Sequence, residues 1–141
     1  MIEYIKEINN LLDDENEIDK SKIKEMLDFF LKEYVRSNQI NEYIGDFPTF
    51  IEPVFLGKNV EIGDDVLLGP NVYIGDNCEI SDYVELSNAV ILDNVKIGEN
   101  FTLENCLVKQ NSKLDFTDLN VENCIILGSA NSQESVKKIE F

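Results

Sequence analysis

The chain has 141 residues, 43% of them hydrophobic, a composition that folds around one modest core as a globular protein. Its net charge of −16 sets it against nucleic-acid phosphates and anionic membrane surfaces, since both need basic patches. No apolar run approaches the roughly 18–20 residues of a membrane span, MIEYIKEINN lacks the basic and apolar regions of a signal peptide, and Cys78, Cys106 and Cys124 have no framework spacing, so a reduced, cytoplasmic protein is expected.

The N-terminal third reads as helical. Ile2, Ile5, Ile8 and Leu12 fall on one face of a short first helix. Ile23, Met26, Leu27, Phe30, Leu31 and Tyr34 recur at three and four, the helical period. Asp13, Asp14, Glu15, Glu17 and Asp19 form an acidic connector, and Ser21 or Asp19 is placed to cap the second helix. Lys32 and Arg36 suit the negative end of its dipole. A helical segment over 1–50 that packs on another element is expected.

The pattern changes around Gly45, Pro48 and Pro53. Leu56, Ile62, Leu68, Ile74, Ile80 and Leu86 are all aliphatic and six apart. Val60, Val66, Val72, Cys78 and Val84 keep the same step, each four residues behind an aliphatic partner. Gly57, Gly63, Gly69 and Gly75 each follow the aliphatic residue, and turn formers such as Asn59, Asp64, Asp65, Asn71, Asp76 and Asn77 fill the gaps. Each hexapeptide therefore makes one short strand and one corner, and three close a triangular coil of about 18 residues that stacks on the next at about 4.8 Å. The fold class is all-β: a left-handed parallel β-helix of about four coils over 51–128, with the polar stretch 129–141 as a tail or cap.

A second regularity carries the coil length. Leu86–Ile91, Leu103–Val108 and Val121–Ile126 repeat one corner, starting 17 and 18 residues apart and each one residue short of a hexapeptide. Asn88, Asn105 and Asn123 are expected to stack as a ladder, because Asn tolerates left-handed backbone and its amide can pair with the next rung. Ala89, Cys106 and Cys124 are expected beside it as small inward residues. Asp115–Asp118 is expected to bulge as a loop.

LGKNVEIGDDVLLGPNVYIGDNCEI resembles the hexapeptide-transferase pattern. EISDYVELSNAVILDNVKIG, at Glu79–Gly98, resembles the C-terminal β-helix of sugar-1-phosphate nucleotidyltransferases, among them glucosamine-1-phosphate acetyltransferase/uridyltransferase. FIEPVFLG, following a helix, is similar to their junction between catalytic domain and β-helix. The resemblance implies a role in nucleotide-sugar synthesis, with a β-helix that drives homo-oligomerisation, commonly as trimers, and in some relatives transfers acetyl groups.

The catalytic equipment of these relatives is missing. Nucleotidyl transfer needs a glycine-rich loop presenting backbone N–H groups to phosphate, and the first 50 residues hold one glycine, Gly45. Acyl transfer uses a histidine as base, and the chain has none. The corresponding position falls near Gly98–Asn100, where Glu99 would be a weak substitute. Without histidine a γ-class carbonic anhydrase zinc site is excluded as well.

No catalytic residue, no metal site and no cofactor is therefore assigned. Cys78, Cys106 and Cys124 read as small core residues. The carboxylates read as solvated faces rather than a catalytic pair. Tyr73, Tyr83 and Phe101 read as corner packing in preference to a cleft between protomers. The expectation is a non-catalytic β-helix module for oligomerisation, scaffolding or regulation, with a nucleotidyltransferase catalytic chain as partner. The competing expectation is an acyltransferase that uses acetyl-CoA on a sugar phosphate or nucleotide sugar without the usual base.

Overall fold

The computed structural model describes all 141 residues. Helix α1 (Ile2–Asp13) and helix α2 (Lys20–Tyr34) form the N-terminal hairpin. Of the two candidate caps, Asp19 takes the role, its carboxylate accepting from the Lys22 amide at 3.2 Å.

The helical segment is shorter than the sequence suggests. Residues 39–50 are three short strands, β1 (Gln39–Ile40), β2 (Tyr43–Gly45) and β3 (Thr49–Phe50). They pair in parallel with β4 (Val54–Leu56), β5 (Val60–Ile62) and β6 (Leu67–Leu68), and so form a coil below the hexapeptides. The parallel β-solenoid thus has about five turns rather than four. The extra coil escapes the hexapeptide pattern because it is terminal. Its inward residues Ile40, Tyr43 and Phe50 pack on the core from one side only, so no enclosed interior restricts their size.

Above it the expected register holds. Strand β7 (Val72–Ile74) aligns Val72 on Val54 and Ile74 on Leu56. The shortened corners become continuous long strands: β9 (Glu85–Ile91), β11 (Phe101–Val108) and β12 (Leu119–Ile126). Register places Ala89 beside Cys106, and Cys106 beside Cys124. The 115–118 stretch stays near the coil path: Asp115 and Asp118 both donate backbone bonds to it, at 3.0 Å. Strands β8 (Glu79–Ile80) and β10 (Lys96–Ile97) complete the second face. The tail ends in β13 (Lys138–Glu140), which pairs antiparallel with Cys124–Ile126 and covers that strand edge.

Side-chain bonds from rung to rung hold the corners. Asn71 donates to Asn88 at 3.1 Å and Asn105 to Asn123 at 2.7 Å, all four in left-handed backbone, but the expected ladder is broken between Asn88 and Asn105, whose side-chain oxygen accepts from Lys24 instead. Aspartates do the same at two further corners: Asp82 accepts from the Asp64 amide at one, and at the other Asp76 accepts from the Lys58 amide and Asp93 from the Asp76 amide, each at 2.8 Å. This explains Gly63 and Gly75, where a Cβ would collide with the Asp82 and Asp93 carboxylates of the coil above. The glycines make room for a carboxylate that satisfies a corner N–H.

Two cores result. The inward columns, including Val54, Ile74, Ile80 and Val108, fill the solenoid. The outward residues of one face, Phe55, Tyr73, Val90, Leu107 and Ile125, form an apolar stripe in register up the stack. The helical hairpin covers it with Ile8, Leu12, Ile23, Leu27 and Phe30. Phe30 meets Tyr73 edge-on at 5.0 Å, and Tyr73 stacks on Phe55 at 4.8 Å.

Two substitutions test this account. Ile74→Asp buries an unpaired charge in a site with no exposure, so the cooperative urea transition should be lost, at a cost of several kcal/mol. Gly63→Ala should displace the Asp82 carboxylate and leave the Asp64 amide without its acceptor, lowering stability by about 1–3 kcal/mol in urea melts. An unchanged midpoint would contradict the role given to the Asp64–Asp82 contact.

Candidate functional site

The inward column of small residues carries two thiols on adjacent rungs. Cys106 Sγ and Cys124 Sγ lie 3.6 Å apart, a thiol contact rather than a disulfide, and both side chains are buried. The shared hydrogen bond with Cys124, then burial, pushes the Cys106 thiol well above its ordinary range. Cys78 donates to the Leu92 carbonyl at 3.2 Å, and burial pushes its thiol up to about 11. No three His, Cys, Asp or Glu side chains gather closely enough to share a metal ion.

The stretch Gly98–Asn100 is a corner of the fourth coil. Glu99 is exposed there, and its backbone carbonyl accepts from Asp118 at 3.0 Å. Its neighbour Asn100 donates to Asp118 Oδ1 at 2.7 Å. A shallow groove of about 480 Å³ runs beside this corner, lined among others by Ile44, Glu61, Glu79, Ser81, Asp82 and Glu99. Its floor is the face built from β2, β5, β8 and β10, one of the two faces on which the helices do not pack. Lys96 lies 3.9 Å from Glu79 and is held mainly by Asp115 at 2.8 Å. That contact to Asp115 raises the lysine pKa. The groove is thus an acidic, solvent-open channel with one apolar end at Ile44.

The three aromatic residues singled out in the sequence go to three different places. Tyr73 is buried under α2, and that burial raises its hydroxyl pKa. Phe101 lies inside the solenoid against Phe116, with ring centroids 4.9 Å apart. Tyr83 stands on a corner with half its surface exposed. They do not line a common cleft.

A second cleft, about 400 Å³, separates α2 from the asparagine corner. Lys24 bridges it, donating to Asp28 at 2.6 Å and to Asn105 at 2.7 Å. Nothing in the local sequence pairs Lys24 with a residue so distant in the chain. Its place on the polar flank of the α2 stripe was the available signal.

A thiol titration tests the cysteine placement. All three cysteines are buried, and Cys78 and Cys106 have raised pKa values, so a disulfide reagent at pH 8 should label none of them in the native protein and three in denaturant. Rapid native labelling of Cys106 or Cys124 would show that the last coil opens.

Comparison with known proteins completes the picture. A search of curated proteins finds no match to the chain. Among solved structures, a hexapeptide-repeat acetyltransferase from Vibrio cholerae aligns at 13% identity, over 98% of this chain and 88% of its own, with a TM-score of 0.35. A maltose O-acetyltransferase from Clostridium difficile 630 aligns at 15% identity, over 98% of this chain and 84% of its own, with a TM-score of 0.33. Residues 50–137 match the family model described as the GMPPB C-terminal domain, and that span starts within the first coil and ends in the C-terminal tail. It takes in the hexapeptides, the shortened corners and the asparagine and aspartate corner contacts. The chain belongs to the GMPPB C-terminal domain family, a parallel β-solenoid related to the C-termini of sugar-1-phosphate nucleotidyltransferases.

Proposed function

We propose that this chain is a non-catalytic β-helix module that assembles, scaffolds or regulates a sugar-phosphate nucleotidyltransferase, with itself as a homo-oligomer and with the catalytic chain as partner. The observation that carries the proposal is the family match over 50–137, which is to a C-terminal domain. The composition supports it, since a chain with no histidine cannot supply the imidazole base that acyl transfer uses. The surface supports it too. One face is packed under the helical hairpin, and the groove on another is broad, shallow and open, a shape suited to another macromolecule.

The test combines light scattering with thermal melts. The purified chain, alone and mixed with a nucleotidyltransferase catalytic chain, should give a complex of fixed stoichiometry. Millimolar acetyl-CoA should leave the melting temperature unchanged, since a ligand that does not prefer the folded state cannot raise it. A saturable rise with acetyl-CoA, together with a monomer that binds no catalytic chain, would replace the module with an acyltransferase.

A further inference from the structure

Thirteen residues other than glycine adopt left-handed backbone, and eleven of them are Asn or Asp. The two exceptions are Phe47, with φ 48°, and Tyr83, with φ 58°. Both sit on the corner that ends the β2/β5/β8/β10 face, on the first and third coils, with Asp65 between them. A bulky side chain is strained in this conformation because its Cβ crowds the following carbonyl oxygen, whereas Asn and Asp offset the strain with local hydrogen bonds. Asn100, on the same corner, does this by bonding to Asp118. The aromatic rings cannot, and Phe47, 94% exposed, gains almost no burial in exchange, while Tyr83 keeps 52% of its surface exposed.

Strain without an intramolecular return marks a position kept for contact with something else. Exposed aromatic rings on a rigid backbone make strong anchors, because they offer much surface and lose little freedom on binding. With coils about 4.8 Å apart, the two ring-bearing positions stand about 10 Å apart along the corner. The acidic groove adjoins them directly in the chain: Asp82 precedes Tyr83, and Ile44, 72% exposed, lies three residues before Phe47. Of its carboxylates Glu61, Glu79, Asp82 and Glu99, Glu79 alone has a cation within 4 Å. Aromatic faces beside unneutralised carboxylates suit Lys and Arg, whose stems pack on rings while their charges meet the acids.

We infer that the Phe47–Tyr83 corner, with Ile44 and the acidic groove beside it, is the docking surface for a basic segment of a partner protein in which Lys or Arg is interleaved with apolar residues. The inference rests on the reading of the chain as a binding module, and it names the surface and the chemistry of what binds there.

The full chain would be titrated by fluorescence anisotropy with short labelled peptides alternating Lys or Arg with Leu, and with matched peptides carrying Glu at every basic position. The basic set should bind, more weakly as salt is raised, and the Glu set should not. Phe47→Asn and Tyr83→Asn install the residue type that the other corners use. Each should weaken binding roughly tenfold or more while the melting temperature holds or rises. Absence of binding by the basic set, equal binding by the Glu set, affinity unchanged in both variants, or a fall in melting temperature in either variant would overturn the inference. So would dissociation of a homo-oligomer by these substitutions, which would assign the corner to a second copy of the chain. The light-scattering and acetyl-CoA measurements decide the module reading separately, because neither depends on these rings.

Discussion

Each coil of this protein relies on the coil above it for its backbone hydrogen bonds. Gly57 donates to Ile74, Gly63 to Ile80 and Glu61 to Cys78, each rung reaching one coil onward. Parallel stacking of this kind makes every column repeat at the coil length, so inward residues are apolar, mostly aliphatic, with small residues such as Ala89, Cys106 and Cys124 stacked on one another. It also sets the corner chemistry. A corner N–H that points along the stack has to find an acceptor on the neighbouring rung, and the Asp64–Asp82 and Asp76–Asp93 contacts supply it. The glycines beneath those aspartates follow as a consequence, since a methyl group would occupy the carboxylate's place.

The stack gives the molecule faces of different character. On one, Phe55, Tyr73, Val90, Leu107 and Ile125 line up outward, an apolar stripe too continuous to stay in water. The hairpin of α1 and α2 covers it, and the contact is locked at its polar edge by Lys24 reaching Asn105. On another, the outward column runs from Ile44 through Glu61 and Glu79 to Lys96. That face has no covering element and stays available. The strand edge of the last coil is paired by β13, whereas β1, β2 and β3 end their sheets.

The family model that covers residues 50–137 describes a C-terminal domain, which is the ground for the proposal of a module that acts beside a separate catalytic chain. In this chain the interior is fully occupied by packing, thiols included, so contact chemistry is confined to corners and faces. The corner bearing Phe47 and Tyr83 stands out because it departs from the Asn and Asp usage of every other left-handed position that is not glycine.

Much of the fold was legible in the residues. The six-residue aliphatic step and the shortened corners determined the coil, its register and the stacking of Asn105 on Asn123, because a period in the chain maps directly onto a period in space. The helical hairpin was legible for the same reason, from the 3–4 spacing between Ile23 and Tyr34. The first coil was not, since Ile40, Tyr43 and Phe50 sit at an open end where the interior imposes no repeat. Nor was the hairpin's docking on the Phe55–Ile125 stripe, or the strained exposure of Phe47 and Tyr83. Those depend on which side of a strand faces a distant helix and on backbone angles at a corner, and only the folded chain decides them.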